Sequence, residues 1–164
     1  MWERLRRRRD PVTAHVRRVA APLAVPQPWQ LDEFLAQVAA VVGKRIRLHP
    51  LPVTEGLPCG LVIERAEDIV IAYDATSSGY HADHIVLHEI GHLLLGHAGA
   101  DHTDRATLEN LFPSVDPATV LRVLARTDYD ELAERQAELF ASLIMSTARD
   151  TPAGSPIRRV VFRD

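Results

Sequence analysis

The segment Ile85-Val-Leu-His-Glu-Ile-Gly-His-Leu-Leu-Leu95 constrains this chain more than any other. It is long and apolar enough to be a helix packed into an interior. Yet it carries His88, Glu89 and His92. Three titratable groups in an otherwise buried helix cost several kcal/mol unless they find partners. Residues four apart on a helix share a face, so His88 and His92 point to one place about a turn apart. Two imidazoles so placed can bind one zinc ion from one side, and the ion is the partner this helix needs. Glu89, beside the first histidine, can then reach a water on the metal. Zinc brings the pKa of such a water down toward about 7, and a carboxylate can take its proton as the water attacks a carbonyl carbon. The plainer alternative is a polar stripe on a structural helix.

A catalytic zinc site has three protein ligands and leaves a position for water. His97 does not complete the metzincin pattern, in which Gly and His follow the second ligand by three and six residues. Here Gly96 and His97 follow His92 by four and five. On a continuous helix His97 would fall on another face, so it is expected as a partner of a ligand or a surface residue. His84 shares the face of His88 and His92. It is expected in a non-ligand role, because one straight helix cannot wrap three ligands around a tetrahedral ion. Further along, Glu131-Leu-Ala-Glu-Arg-Gln-Ala-Glu-Leu-Phe-Ala141 has an apolar face centred near Phe140, Leu143 and Ala133. Glu134 sits at the edge of that face, with Glu131 and Glu138 further round toward solvent. A carboxylate at an apolar edge can meet a facing helix, although a solvated glutamate would show the same spacing. Tyr129, His102, Tyr80 and Tyr73 are candidates for stabilising a developing oxyanion, and spacing does not choose among them.

The rest of the chain reads as one domain. At 164 residues, 46% hydrophobic and 25% charged, it has the composition of an ordinary globular protein. Cys59 is its single cysteine, so no internal disulfide forms, which fits a reducing compartment. Net charge is -3, against a dedicated nucleic-acid binder. Arg4 and Arg6 to Arg9, with Arg17 and Arg18, are expected to form a solvated basic arm. The apolar stretch after them is short and broken by prolines, a poor export core. No run approaches the roughly 20 apolar residues of a membrane span. A cytoplasmic location with no membrane contact is therefore expected.

Residues 1–28 read as the basic arm and a proline-rich linker, helical near Val16 to Ala21. Residues 29–150 read as the folded domain and 151–164 as a tail with a weak strand at Arg158 to Phe162. Within the domain a helix is expected from Leu31 to Val42, stopped by Gly43. Strands are expected at Arg45–His49, Gly60–Glu64 and Asp68–Tyr73. Helices follow at His81–Gly96, Thr107–Leu111, Pro117–Arg126 (capped by Asp116) and Asp130–Met145. The order implies α+β, a small antiparallel sheet packed beside a helical layer. The strand Asp68–Tyr73 would pair with an extended substrate if it lay at an edge.

Two segments resemble the ImmA/IrrE-type metallopeptidases. His88-Glu-Ile-Gly-His-Leu-Leu-Leu-Gly-His97 is similar to that family's active helix, last histidine included. Glu134-Arg-Gln-Ala-Glu-Leu-Phe-Ala-Ser-Leu-Ile-Met145 resembles its downstream helix. The resemblance spans about residues 30 to 146 and implies a zincin-like fold. It implies Zn2+ held by His88, His92 and Glu134, with Glu89 as catalytic base; His97 and Tyr129 are candidates, from the residues alone, for contacting a ligand or the oxyanion. Glu138 stands where the family has Asn or Asp, Ser146 where it has Pro, and His84 where an aromatic residue is common. The implied activity is cleavage of a regulatory protein such as a helix-turn-helix repressor. The alternative is a partner-binding component of a toxin–antitoxin system with little proteolysis.

Overall fold

The computed structural model describes residues 10–52, 60–98, 105–125 and 130–149. The elements run α1 (Pro11–Ala20), α2 (Leu31–Val42), β1 (Arg45–Leu51), β2 (Gly60–Arg65), β3 (Asp68–Asp74), α3 (Gly79–Leu94), α4 (Arg105–Leu111), β4 (Val120–Ala125) and α5 (Glu131–Arg149). The fold is α+β, as the order of elements implies.

The sheet order is β1-β3-β2-β4. β2 turns straight back into β3 and pairs with it antiparallel, from Gly60 opposite Tyr73 to Glu64 opposite Ile69. β4 runs antiparallel to β2 on its far side, and β1 runs parallel to β3, from Arg45 beside Asp68 to Leu51 beside Asp74. The sheet is therefore mixed, not purely antiparallel. β3 is central and paired on both sides, so it cannot take the added strand that an edge position would have offered. The edges are β1 and β4. Edge position also explains why β1 runs on through Pro50, which donates no ladder hydrogen bond.

Alternation along the strands sends two sets of side chains to two cores. Val62, Ile69, Ile71 and Leu124 join Phe34, Val38, Leu87, Ile90, Phe140 and Ile144 from the helices on one face. Leu61, Ile63, Val70 and Val123 join Leu108, Phe112 and Val115 on the other. Val16, Ala20 and Leu23 belong to the first core. The basic arm therefore gives way to a docked helix: α1 begins at Pro11, capped by Asp10, earlier than Val16. The proline-punctuated stretch is held down as well, since Gln27 Nε2 donates to the Thr147 carbonyl at 3.0 Å.

Most elements follow their sequence signals. Gly43 ends α2 in the left-handed conformation at φ 70, with its N–H on the Ala39 carbonyl at 2.9 Å. The helix expected over Pro117–Arg126 is a correction. Asp116 and Pro117 start only a 3-10 turn, Pro117–Thr119, and the chain then extends into β4. In Val120-Leu-Arg-Val-Leu the β-branched residues favour a strand, and β2 offers an edge to pair with. Tertiary pairing outweighs the local helix-start signal there. Cys59, the arginines before Asp10 and the segment Arg158–Phe162 lie outside the described residues. Among the described residues no helix is long and apolar enough to cross a membrane.

Candidate metal centre

The site is built where α5 runs back along α3. Glu138 lies beside His84, and Arg149 covers the Tyr80 ring at 3.9 Å. The two helices approach closely at Gly91. A Cβ there would lie 3.0 Å from Ala137 Cα and 3.3 Å from Phe140 Cβ. Gly91 stands between the two histidines, and Ala137 is one turn from Glu134. The small pair therefore lets a carboxylate of α5 reach the imidazoles of α3.

His88, His92 and Glu134 each bring one ligand atom to the same point, all within 4.8 Å of one another. The Nε2 atoms of the two histidines are 3.0 Å apart. Glu134 Oε2 is 3.4 Å from His88 Nε2, and Glu134 Oε1 is 3.2 Å from His92 Nε2. A tetrahedral zinc with bonds of about 2.0–2.1 Å has ligand–ligand edges of about 3.3 Å. The two nitrogens are close to that spacing, and the Glu134 carboxylate bridges the gap with one oxygen near each of them. Two neutral nitrogens and one carboxylate are also a donor set suited to zinc. The residues present thus fit a divalent metal. His84 stands outside the group.

His92 is fully buried and Glu89 is 3% exposed. His88 and Glu89 open onto a pocket whose wall also includes Gly60, Ile85, His84 and Glu138. Gly60 escaped sequence reasoning, although a glycine opening an apolar strand signals close approach by another group. A Cβ on Gly60 would sit 2.5 Å from Glu89 Oε1 and 2.9 Å from Glu89 Cγ. The missing side chain is the space that Glu89 occupies. Gly60→Ala is expected to displace the carboxylate while leaving the three ligand residues in place. A crystal structure of the variant checks this: Glu89 should shift away from residue 60, and a carboxylate left in its wild-type position would remove Gly60 from this role.

Glu138 is a second omission, since helix geometry alone turned it toward solvent. Its side chain is 57% exposed, yet Oε2 is 3.0 Å from His84 Nε2 and 3.6 Å from His88 Nδ1. Partial burial pushes its carboxyl up, but hydrogen bonds from His84 and Ser142 and the charges of His84 and His88 outweigh it. The net effect lies below the ordinary carboxylate range. His84 thus has a definite place, as the partner of Glu138.

His97 corrects the continuous-helix picture. α3 ends at Leu94, and Gly96 takes the left-handed conformation at φ 70. The His97 N–H reaches the His92 carbonyl at 3.1 Å, and the Gly96 N–H the Leu93 carbonyl at 3.3 Å. This is a Schellman closure. It folds His97 back over the last turn, so that its Nδ1 lies 2.9 Å from His92 Nδ1. That nitrogen of His92 is the one turned away from the metal point. His97 therefore touches a ligand and is not itself in the ligand group.

Of the four oxyanion candidates, Tyr129 and His102 lie outside the described residues. Tyr80 is exposed and stacks near His84, with ring centroids 6.3 Å apart, and Tyr73 packs against the helical core. Neither Tyr80 nor Tyr73 lines the pocket of His88 and Glu89. No family model matches this chain, and no curated protein or solved structure matches it either.

Proposed function

We propose that this chain is a zinc-dependent endopeptidase of the ImmA/IrrE type, with a zincin-like fold, cutting a regulatory protein such as a helix-turn-helix repressor. The observation that carries the proposal is the convergence of His88, His92 and Glu134, with ligand atoms within 4.8 Å of one another, beside the buried Glu89. Zinc, held by those three residues, would supply Lewis acidity toward a water and toward the scissile carbonyl. Glu89 takes the proton of the attacking water and later passes it to the leaving nitrogen. Gly60 fixes where that carboxylate sits. The pocket wall of Ile85, His84 and Glu138 receives the chain flanking the cut bond. The edge strand β4 offers a path toward it: Ala125 pairs with Leu61, one residue from Gly60. An extended peptide laid beside β4 would therefore run toward Glu89.

The substrate implied by the resemblance gives the test. Zinc-loaded protein is expressed in cells, and new protein N-termini are compared with those from a Glu89→Gln strain. Wild type should generate a small set of new termini, in a regulator, that the variant lacks. If both strains show the same termini and the same growth defect, the chain acts by binding a partner, as a toxin–antitoxin component would.

A further inference from the structure

His92 is fully buried, and its two ring nitrogens have separate partners. Nε2 faces His88 and Glu134, whereas Nδ1 lies 2.9 Å from His97 Nδ1. A neutral imidazole has one donor nitrogen and one acceptor. Nε2 can offer a lone pair to a metal only when Nδ1 carries the proton. The next contact along the chain of hydrogen bonds decides the matter. His97 Nε2 lies 2.8 Å from Gln136 Oε1, a carbonyl oxygen that can only accept. His97 Nε2–H therefore donates to Gln136, and His97 Nδ1 is left as an acceptor. His92 Nδ1–H donates to that acceptor, and the His92 Nε2 lone pair is directed at the metal point.

We propose that His97 and Gln136 are positioning residues for the metal: a two-step relay that fixes the tautomer and ring angle of His92. The inference rests on the metal-centre reading above. Local structure explains how the relay is assembled. The Gly96 turn brings His97 over His92, and Gln136 comes from the turn of α5 that also carries Glu134. One helix thus supplies a ligand and the last acceptor of the relay. The turn that closes α3 supplies the imidazole that links Gln136 to His92. Outer partners of this kind orient metal-binding histidines and raise their basicity.

Zinc affinity of the full chain, read by competition with a chromogenic chelator, tests the relay. His97→Ala and Gln136→Leu are expected to weaken binding by roughly 10- to 100-fold, the range for loss of an outer hydrogen-bond partner. His97→Gln places an amide oxygen where it can accept from His92 Nδ1–H, and it should restore most of the affinity. His97→Leu fills the space without an acceptor, so recovery with glutamine and not with leucine excludes a role in packing alone. Thermal melts of the metal-free variants separate folding from binding. Should a variant fail to fold, a long-range proton–nitrogen spectrum of the zinc-loaded wild type reads the tautomers directly. Protons on His92 Nδ1 and His97 Nε2 support the relay, and a proton on His97 Nδ1 overturns it. Equal zinc affinity in wild type and folded His97→Ala also overturns it, with the metal centre left standing. A wild-type chain that takes up no zinc overturns both, so the two failures are distinguishable.

Discussion

Glu134→Ala is expected to abolish zinc uptake, which on the proposed function is one ion per molecule in the wild-type chain. Glu134 places its two oxygens 3.4 Å and 3.2 Å from the ligand nitrogens of His88 and His92. Alanine leaves two imidazoles and no anionic ligand. The affinity should fall by more than the roughly 100-fold that marks the upper range for an outer partner. The helix itself should survive, because alanine is the best helix former and Glu134 is only partly buried. Metal-free wild type and variant should therefore melt within a few degrees of each other. Added zinc separates them: at about 1,000 times the dissociation constant a bound ligand stabilises by about 4.1 kcal/mol. Wild type should gain a higher melting temperature and Glu134→Ala should not. Full zinc occupancy in the variant would remove Glu134 from the ligand set.

Glu89→Gln is expected to do the reverse, keeping zinc and losing turnover. Glutamine has nearly the same shape, so the space left by Gly60 still accommodates it and the three ligands stay put. It cannot accept a proton from the attacking water at neutral pH. Loss of a positioned general base costs on the order of 10²- to 10⁴-fold in rate. The check is turnover per bound zinc on the substrate found by comparing N-termini. Activity within a few-fold of wild type would move the base to another residue. Glu134→Ala tests what holds the metal, and Glu89→Gln tests what the metal site does.

Much of this arrangement is legible in the residue order, for physical reasons that can be named. α2, α3 and α5 repeat apolar residues at helical spacing over three turns or more, and such patterns survive tertiary context. The pairing of His88 with His92 needs only the helix repeat. Glu134 was narrowed by its place at the edge of an apolar face, and the resemblance then selected it. Features that depend on where the backbone turns were harder to read. His97 lay on the wrong face until Gly96 ended the helix and reversed the chain. Glu138 was turned to solvent by helix geometry, but α3 passes close enough for His84 to reach it. Gly60 has no side chain to read, and its role is visible only once Glu89 fills the gap. β4 reads as a helix in the sequence because Asp116-Pro117 is a true helix-start signal, and that signal stops after one turn. The tight β2–β3 return leaves two outer edges, and nothing in the residues of β1 announces that it takes the edge of β3 while β4 takes that of β2.

The central claim is the identity of the three ligands, and X-ray absorption at the zinc edge of the zinc-loaded chain tests it most directly. The account predicts four light scatterers at about 2.0–2.2 Å, two of them imidazoles and the others a carboxylate oxygen and a water. In Glu134→Ala loaded at high zinc, the carboxylate contribution should vanish while both imidazoles remain. A third imidazole, or a sulfur at about 2.3 Å from Cys59, would contradict the His88, His92 and Glu134 centre.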